Sequence, residues 1–254
     1  MKQLPTLPLV AALLLSAASA SAQTSFHLGL RGGLNRALTT VDPAGNTSAY
    51  FQQNYSTDKS ALFAWQAGVV GEIYSGKFTF QPALLFSQKG NQFHTARYTS
   101  GVAGYTTQEA TGTNRTNWLE LPLNFVYTLH GDHGLQVFVG PYVALALGGR
   151  QQGTATSYTS YGIGGGYRIT DFDNHIAYGP GTSNQRLDAG LNFGIGYRQG
   201  PLQVQLGYGL GLLSTYKTST ELIPLGNRDY GRQLSAEVAH NRVMQFTTTY
   251  FFGG

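Results

Sequence analysis

The feature that most constrains this chain is a two-residue alternation of apolar and polar side chains that recurs eight times after the first twenty-odd residues. In the first run Phe26, Leu28, Leu30 and Leu34 alternate with His27, Arg31 and Asn35. In the fourth, Leu119, Leu121, Leu123, Phe125, Tyr127 and Leu129 share one face, with Glu120 and Asn124 on the other. Period two is the mark of a strand with one greasy side. The runs, near 26–35, 62–73, 78–89, 119–129, 135–147, 187–198, 202–212 and 244–252, match the ~9–11 residues of a tilted strand crossing a bilayer. No helical period persists beyond two turns after Gln23, so the chain is expected to be all-β.

The connections alternate as regularly as the strands. Ser75-Gly76-Lys77, Gly131-Asp132-His133-Gly134 and Gln199-Gly200-Pro201 are short turns, whereas the links 36–60, 93–116, 150–185 and 216–240 are long. Short turns at one end and long loops at the other, with an even strand number, describe an eight-stranded, antiparallel, up-and-down transmembrane β-barrel. Its termini would lie on the periplasmic side and its long loops outside the cell.

A soluble barrel of the same size would keep its greasy face inward and stud its outside with charge. Only 11% of this chain is Asp, Glu, Lys or Arg, against ~25% in ordinary soluble domains. The charge sits mainly in the long links, and the polar strand faces are mainly Gly, Gln, Asn and Thr. Such faces suit a narrow lumen, with the apolar faces in lipid. The formal net charge of +4 is spread along the chain, so no nucleic acid partner is expected. The absence of cysteine removes disulfides and thiolate metal sites. Met1 and Lys2 precede an apolar run from Leu7 to Leu15 and the small residues Ala20-Ser21-Ala22, which reads as a signal peptide over 1–22. Residues 23–254 then form the barrel, exported to the outer membrane.

Leu30-Arg31-Gly32-Gly33-Leu34-Asn35, Phe80-Gln81-Pro82-Ala83-Leu84-Leu85-Phe86-Ser87-Gln88-Lys89-Gly90 and Trp118-Leu119-Glu120-Leu121-Pro122-Leu123 occur in order, followed by Gly140-Pro141-Tyr142, Asp188-Ala189-Gly190 and Tyr250-Phe251-Phe252. In these segments the chain resembles the PorT-like outer-membrane β-barrel family of the Bacteroidetes. The resemblance implies an outer-membrane barrel with a layout similar to an accessory part of type IX secretion; the expectation of no enzymatic activity comes from the scattered Ser, His and Asp, which form no nucleophile or acid–base set. It also leads us to expect local bulges at Pro82, Pro122 and Pro141, where each proline removes a ladder hydrogen bond.

Arg31, Glu72, Lys89, Glu120, Arg186, Asp188 and Arg198 fall on the polar strand face. They would form a charge network in the lumen, with Lys89 and Glu120 paired across adjacent strands and Arg186 beside Asp188. A proton path or a catalytic acid pair is the functional alternative to a salt-bridged plug, and the plug is favoured because unpaired buried charge is costly. Asp171, Asp173 and His175, with Asn174, carry donor types for a metal, but the same composition is ordinary in a solvated loop. No metal, cofactor or catalytic set is expected. Tyr158, Tyr161, Tyr167 and Tyr178 stand among Ser, Thr and Gly in the third long link, a mixture suited to adaptable recognition or to the lipopolysaccharide headgroup level. The expected partners are outer-membrane lipid and lipopolysaccharide, with an extracellular or secretion-system protein as a further candidate. A lipid-modifying enzyme is the least favoured alternative.

Overall fold

The structure is a computed structural model that describes residues 25–43, 55–101, 104–130, 133–162, 164–179, 181–182, 184–216 and 237–253. The signal peptide expected at 1–22 lies outside the described residues, as does most of the 216–240 link.

The described residues form nine strands: β1 (Ser25–Pro43), β2 (Tyr55–Ser75), β3 (Phe78–Gly101), β4 (Gly104–His130), β5 (His133–Tyr161), β6 (Gly164–Ile176), β7 (Leu187–Gln199), β8 (Leu202–Gly211) and β9 (Glu237–Phe252). All pairings are antiparallel. Eight of them close a ring in the order β1-β2-β3-β4-β5-β7-β8-β9, with β9 returning to β1. Closure leaves no strand edge inside the bilayer, so every backbone group there has a neighbour to pair with. Leu30, Phe63, Phe125, Val139, Ile195 and Phe246 expose about half or more of their surface outward, while Asn35, Gln81, Gln136, Asn192, Gln203 and Thr249 are buried inside.

β6 is the ninth strand and lies outside the ring. The side of β5 away from β4 pairs with β7 over Gly134–Leu145 and with β6 over Gly149–Tyr161. The links expected to be loops at 93–116 and 150–185 are therefore largely strand: β3 and β4 run on as a hairpin to Gly101↔Gly104, and the second link holds the end of β5 and all of β6. β3, β4 and β5 have 24, 27 and 29 residues, against 13 and 10 in β7 and β8. One side of the barrel thus rises as a free sheet far above the other. Phe93 and Phe172 tie this sheet together, stacking at 6.3 Å across Gly112 and Gly153, which separate them in register. A side chain on either glycine would run into backbone and one of these rings.

The bulges are not at the prolines. Registers shift in β2 between Ala61 and Gln66, in β5 opposite Asn117/Trp118, where Gly148 takes a φ of 145°, and beside the β4–β5 turn between Thr128 and His130. Pro82, Pro122 and Pro141 all keep the register and interrupt the ladder only beside themselves. The physical reason is that proline withholds a donor but fits an extended backbone, so a pairing is lost with no residue inserted.

Candidate functional site

The polar face of the alternation builds two charge clusters at different depths in the lumen. Near the end of the barrel that carries the short turns Glu72 is ion-paired with Arg198, accepts from Gln81 at 3.1 Å and lies 3.6 Å from His27. Arg31 donates to Thr249 at 2.8 Å and reaches Gln81 and Gln203 at 3.4 Å, and the Arg198 guanidinium covers the Phe251 ring.

Nearer the raised end, Lys89 Nζ lies 2.8 Å from Glu120 and 3.4 Å from Asp188, and all three side chains are at most 2% exposed. Asp188 also accepts from Tyr142 Oη at 3.3 Å and Asn241 Nδ2 at 2.9 Å. The Lys89 ammonium stands 4.6 Å from the Tyr142 ring centre and 5.7 Å from that of Trp118, within cation–π range. Lys89 is level in register with Thr116 and Glu120 with Leu85, so the two side chains lean toward each other along the lumen to close a four-residue offset. The lower cluster sets two cations against one anion and the upper cluster one cation against two. Between them is a cavity of about 10 Å³, lined in part by Gln66, Asn124, Asn192 and Gln205, each with an amide atom lacking a hydrogen-bond partner among the described residues. That is room for about one water molecule.

Arg186 does not belong to this network. It is exposed, just before the start of β7, and Asp188 turns inward to Lys89 instead. Two residues apart on a strand means one face only where the strand is regular, and β7 begins at Leu187.

Above the upper cluster a cavity of about 330 Å³ is bordered by Trp118, Tyr178, Asn91, Asn114 and Thr215. Tyr178, expected as a surface recognition residue, packs edge-on against Trp118 at 5.7 Å. The side chain of Tyr161 lies outside the described residues. Tyr158 and Tyr167 do reach the surface, packed at 4.7 Å on the outward face of the raised sheet. Tyr98 and Tyr105 continue the row at 5.9 and 5.8 Å, so four tyrosines cross four adjacent strands. The sequence reading missed Tyr98 and Tyr105 because they fall in another link, and missed Trp118 and Tyr142 although their aromatic character on a polar face was a visible signal.

The two aspartates among the candidate metal donors are otherwise engaged. Asp173 binds Arg150 through two hydrogen bonds of 2.5 and 2.6 Å and accepts from Gln152, and Asp171 accepts from Thr154. The Arg150 hydrogen bonds hold the exposed Asp173 carboxyl below its ordinary range. No group of three metal-type donors occurs among the described residues.

In overall shape the chain is similar to neisserial surface protein A, at 8% identity and a TM-score of 0.33, covering 90% of this chain and 99% of that one. It is also similar to a mutant of the TodX monoaromatic hydrocarbon channel, at 8% identity and a TM-score of 0.21, with 92% and 91% covered. No curated protein sequence matches it. The family described as outer membrane protein β-barrel domain matches residues 21–217; with the closed ring and its lipid-facing belt, this chain belongs to that family of outer-membrane β-barrels.

Proposed function

We propose that this is a non-enzymatic outer-membrane barrel with a plugged lumen, acting at the cell surface through the sheet it raises above the membrane. The observation that carries the reading is the filled lumen: each cluster is built on a buried ion pair, Arg31 is held by hydrogen bonds to Thr249, Gln81 and Gln203, and the space between the clusters suits one water and no larger solute. A catalytic or conducting site needs a free reacting group or a continuous path, and neither fits such packing. The raised sheet supports a role in contact. Tyr158 lies eleven residues beyond Leu147, the last lipid-facing apolar residue of β5, or about 36 Å along the strand at ~3.3 Å per residue. With a tilt of roughly 40° this is about 25–30 Å above the hydrocarbon, clear of a headgroup layer only about 5–8 Å deep. Four rigid, amphipathic rings there offer contact area at little entropic cost.

The test is complementation of a deletion strain with wild type or with a shortened protein, residues 92–113 and 152–173 each replaced by a short Gly-containing turn. The shortened barrel is expected to insert and to shift in gel mobility on boiling, yet not to restore the surface phenotype. Full restoration would overturn the reading. The accessory role in type IX secretion, implied by the PorT-like resemblance, would instead show as a loss of secreted proteins on deletion, and a lipid-modifying activity as altered lipid A.

A further inference from the structure

The lipid-facing surface ends in arginine. On β1 the outward series Phe26, Leu28, Leu30, Leu34 reaches Arg36, with the half-buried Leu38 beyond it and level in register with Arg242, and on β9 the series Phe252, Tyr250, Phe246, Met244 is followed by Arg242. On β4 Arg115 stands on the same face as Leu119, with Asn117 between them. On β5 Arg150 follows Leu147 across the bulge, and Arg186 immediately precedes Leu187 of β7. Four strands thus place an arginine within four residues of the outward apolar series, and Arg186 lies exposed just before a fifth, at the extracellular end only. Below it the outward faces of the described strands carry no charge. Acidic groups on the outward face, Asp58, Glu109 and Asp171, stand farther out along their strands. Arg150 is occupied by Asp173. Arg36, Arg115, Arg186 and Arg242 have no carboxylate within ion-pair distance among the described residues, and the first three are exposed.

A guanidinium at that depth faces the headgroups of the outer leaflet, and its planar fork matches two phosphate oxygens. The geometry points to a collar formed by Arg36, Arg115, Arg186 and Arg242 that binds the phosphate groups of outer-leaflet lipid. The charge is complementary, and the collar is continuous with the surface already in contact with the acyl chains, so one lipid molecule meets both. The collar is independent of the plugged lumen and of the tyrosine row.

The experiment uses the full barrel folded in neutral detergent, titrated with lipid A or with the same lipid A after phosphatase treatment, and followed by native mass spectrometry. Wild type is expected to prefer the phosphorylated form. Replacing the four arginines with Gln should remove that preference, each charge accounting for about a fivefold change in affinity, while Arg150→Gln should leave it unaltered. Retained heat-modifiable mobility certifies the fold of each variant. Equal binding of the two lipids by wild type would overturn the proposal, as would an undiminished preference in the fourfold variant. Inorganic phosphate should not compete; competition at millimolar concentration would show a general anion site and also overturn it.

Discussion

β3, β4 and β5 each pass through two environments, and the same chemistry has different consequences in each. In the lumen Lys89 and Glu120 form an ion pair with both partners almost wholly buried, 2% and 1% exposed. On the raised sheet Arg150 and Asp173 pair with better hydrogen-bond geometry but are 57% and 42% exposed. Water solvates the second pair whether or not it forms, so its net contribution is small. The first has no water to fall back on, and breaking it strands charge. Packing follows the same division: below the rim, lipid and lumen impose strict alternation, whereas above it both faces meet water and the sheet relies on contacts such as Phe93 on Phe172.

The largest effect should come from Lys89→Met, which leaves Glu120 and Asp188 facing each other without a cation. We expect a loss of about 3–5 kcal/mol in unfolding from detergent or liposomes, much of it recovered when Glu120→Gln is added. Additive losses in that double-mutant cycle would mean the pair is not coupled. Next, Leu121→Arg on the lipid face should cost about 2–4 kcal/mol and impair insertion, while Thr111→Arg, on the same face of the same strand but above the rim, should insert normally. Equal effects would put the rim in the wrong place.

A smaller change should follow Gly153→Val, whose side chain meets the Thr111 carbonyl and the Phe172 ring. About 1–3 kcal/mol of strain should free β6, seen as faster proteolysis on intact cells with unchanged heat-modifiability of the barrel. The smallest concerns the exposed pair. Because Asp173 is held below the ordinary carboxylate range by Arg150, its contribution is present above the unfolded value of about 3.9 and is lost as pH falls through the lowered one. Asp173→Asn should therefore leave the unfolding midpoint at pH 7 unchanged within error. Nuclear magnetic resonance titration should find the Asp173 carboxyl below its ordinary range in the wild type and returned upward in Arg150→Gln.

What was legible in the sequence follows the same boundary. The eight barrel strands could be read because lipid on one side and a narrow lumen on the other force period two on Leu30 to Asn35 or Leu119 to Leu129. The raised sheet could not, since Thr106, Thr107 and Ser157–Ser160 face water on both sides and alternate with nothing. Lys89 and Glu120 could be placed near each other because β3 and β4 are consecutive. Asp188 could not be joined to Lys89, because β7 and β3 are not neighbours and meet only across the closed lumen; closeness in sequence pointed to Arg186 instead. The tyrosine row was half visible, for Tyr158 and Tyr167 lie in one link, but its other half comes from the β3–β4 hairpin.

The central claim is that the lumen is closed by its own charge pairs and that the outer surface carries the function. Planar-bilayer recording of the folded wild-type barrel tests this most directly. The account predicts no steady single-channel conductance for the wild type, with current appearing, if anywhere, only after Lys89→Met breaks the upper cluster. Steady conductance in the wild type, abolished by Glu120→Gln, would show a continuous water-filled path and contradict it.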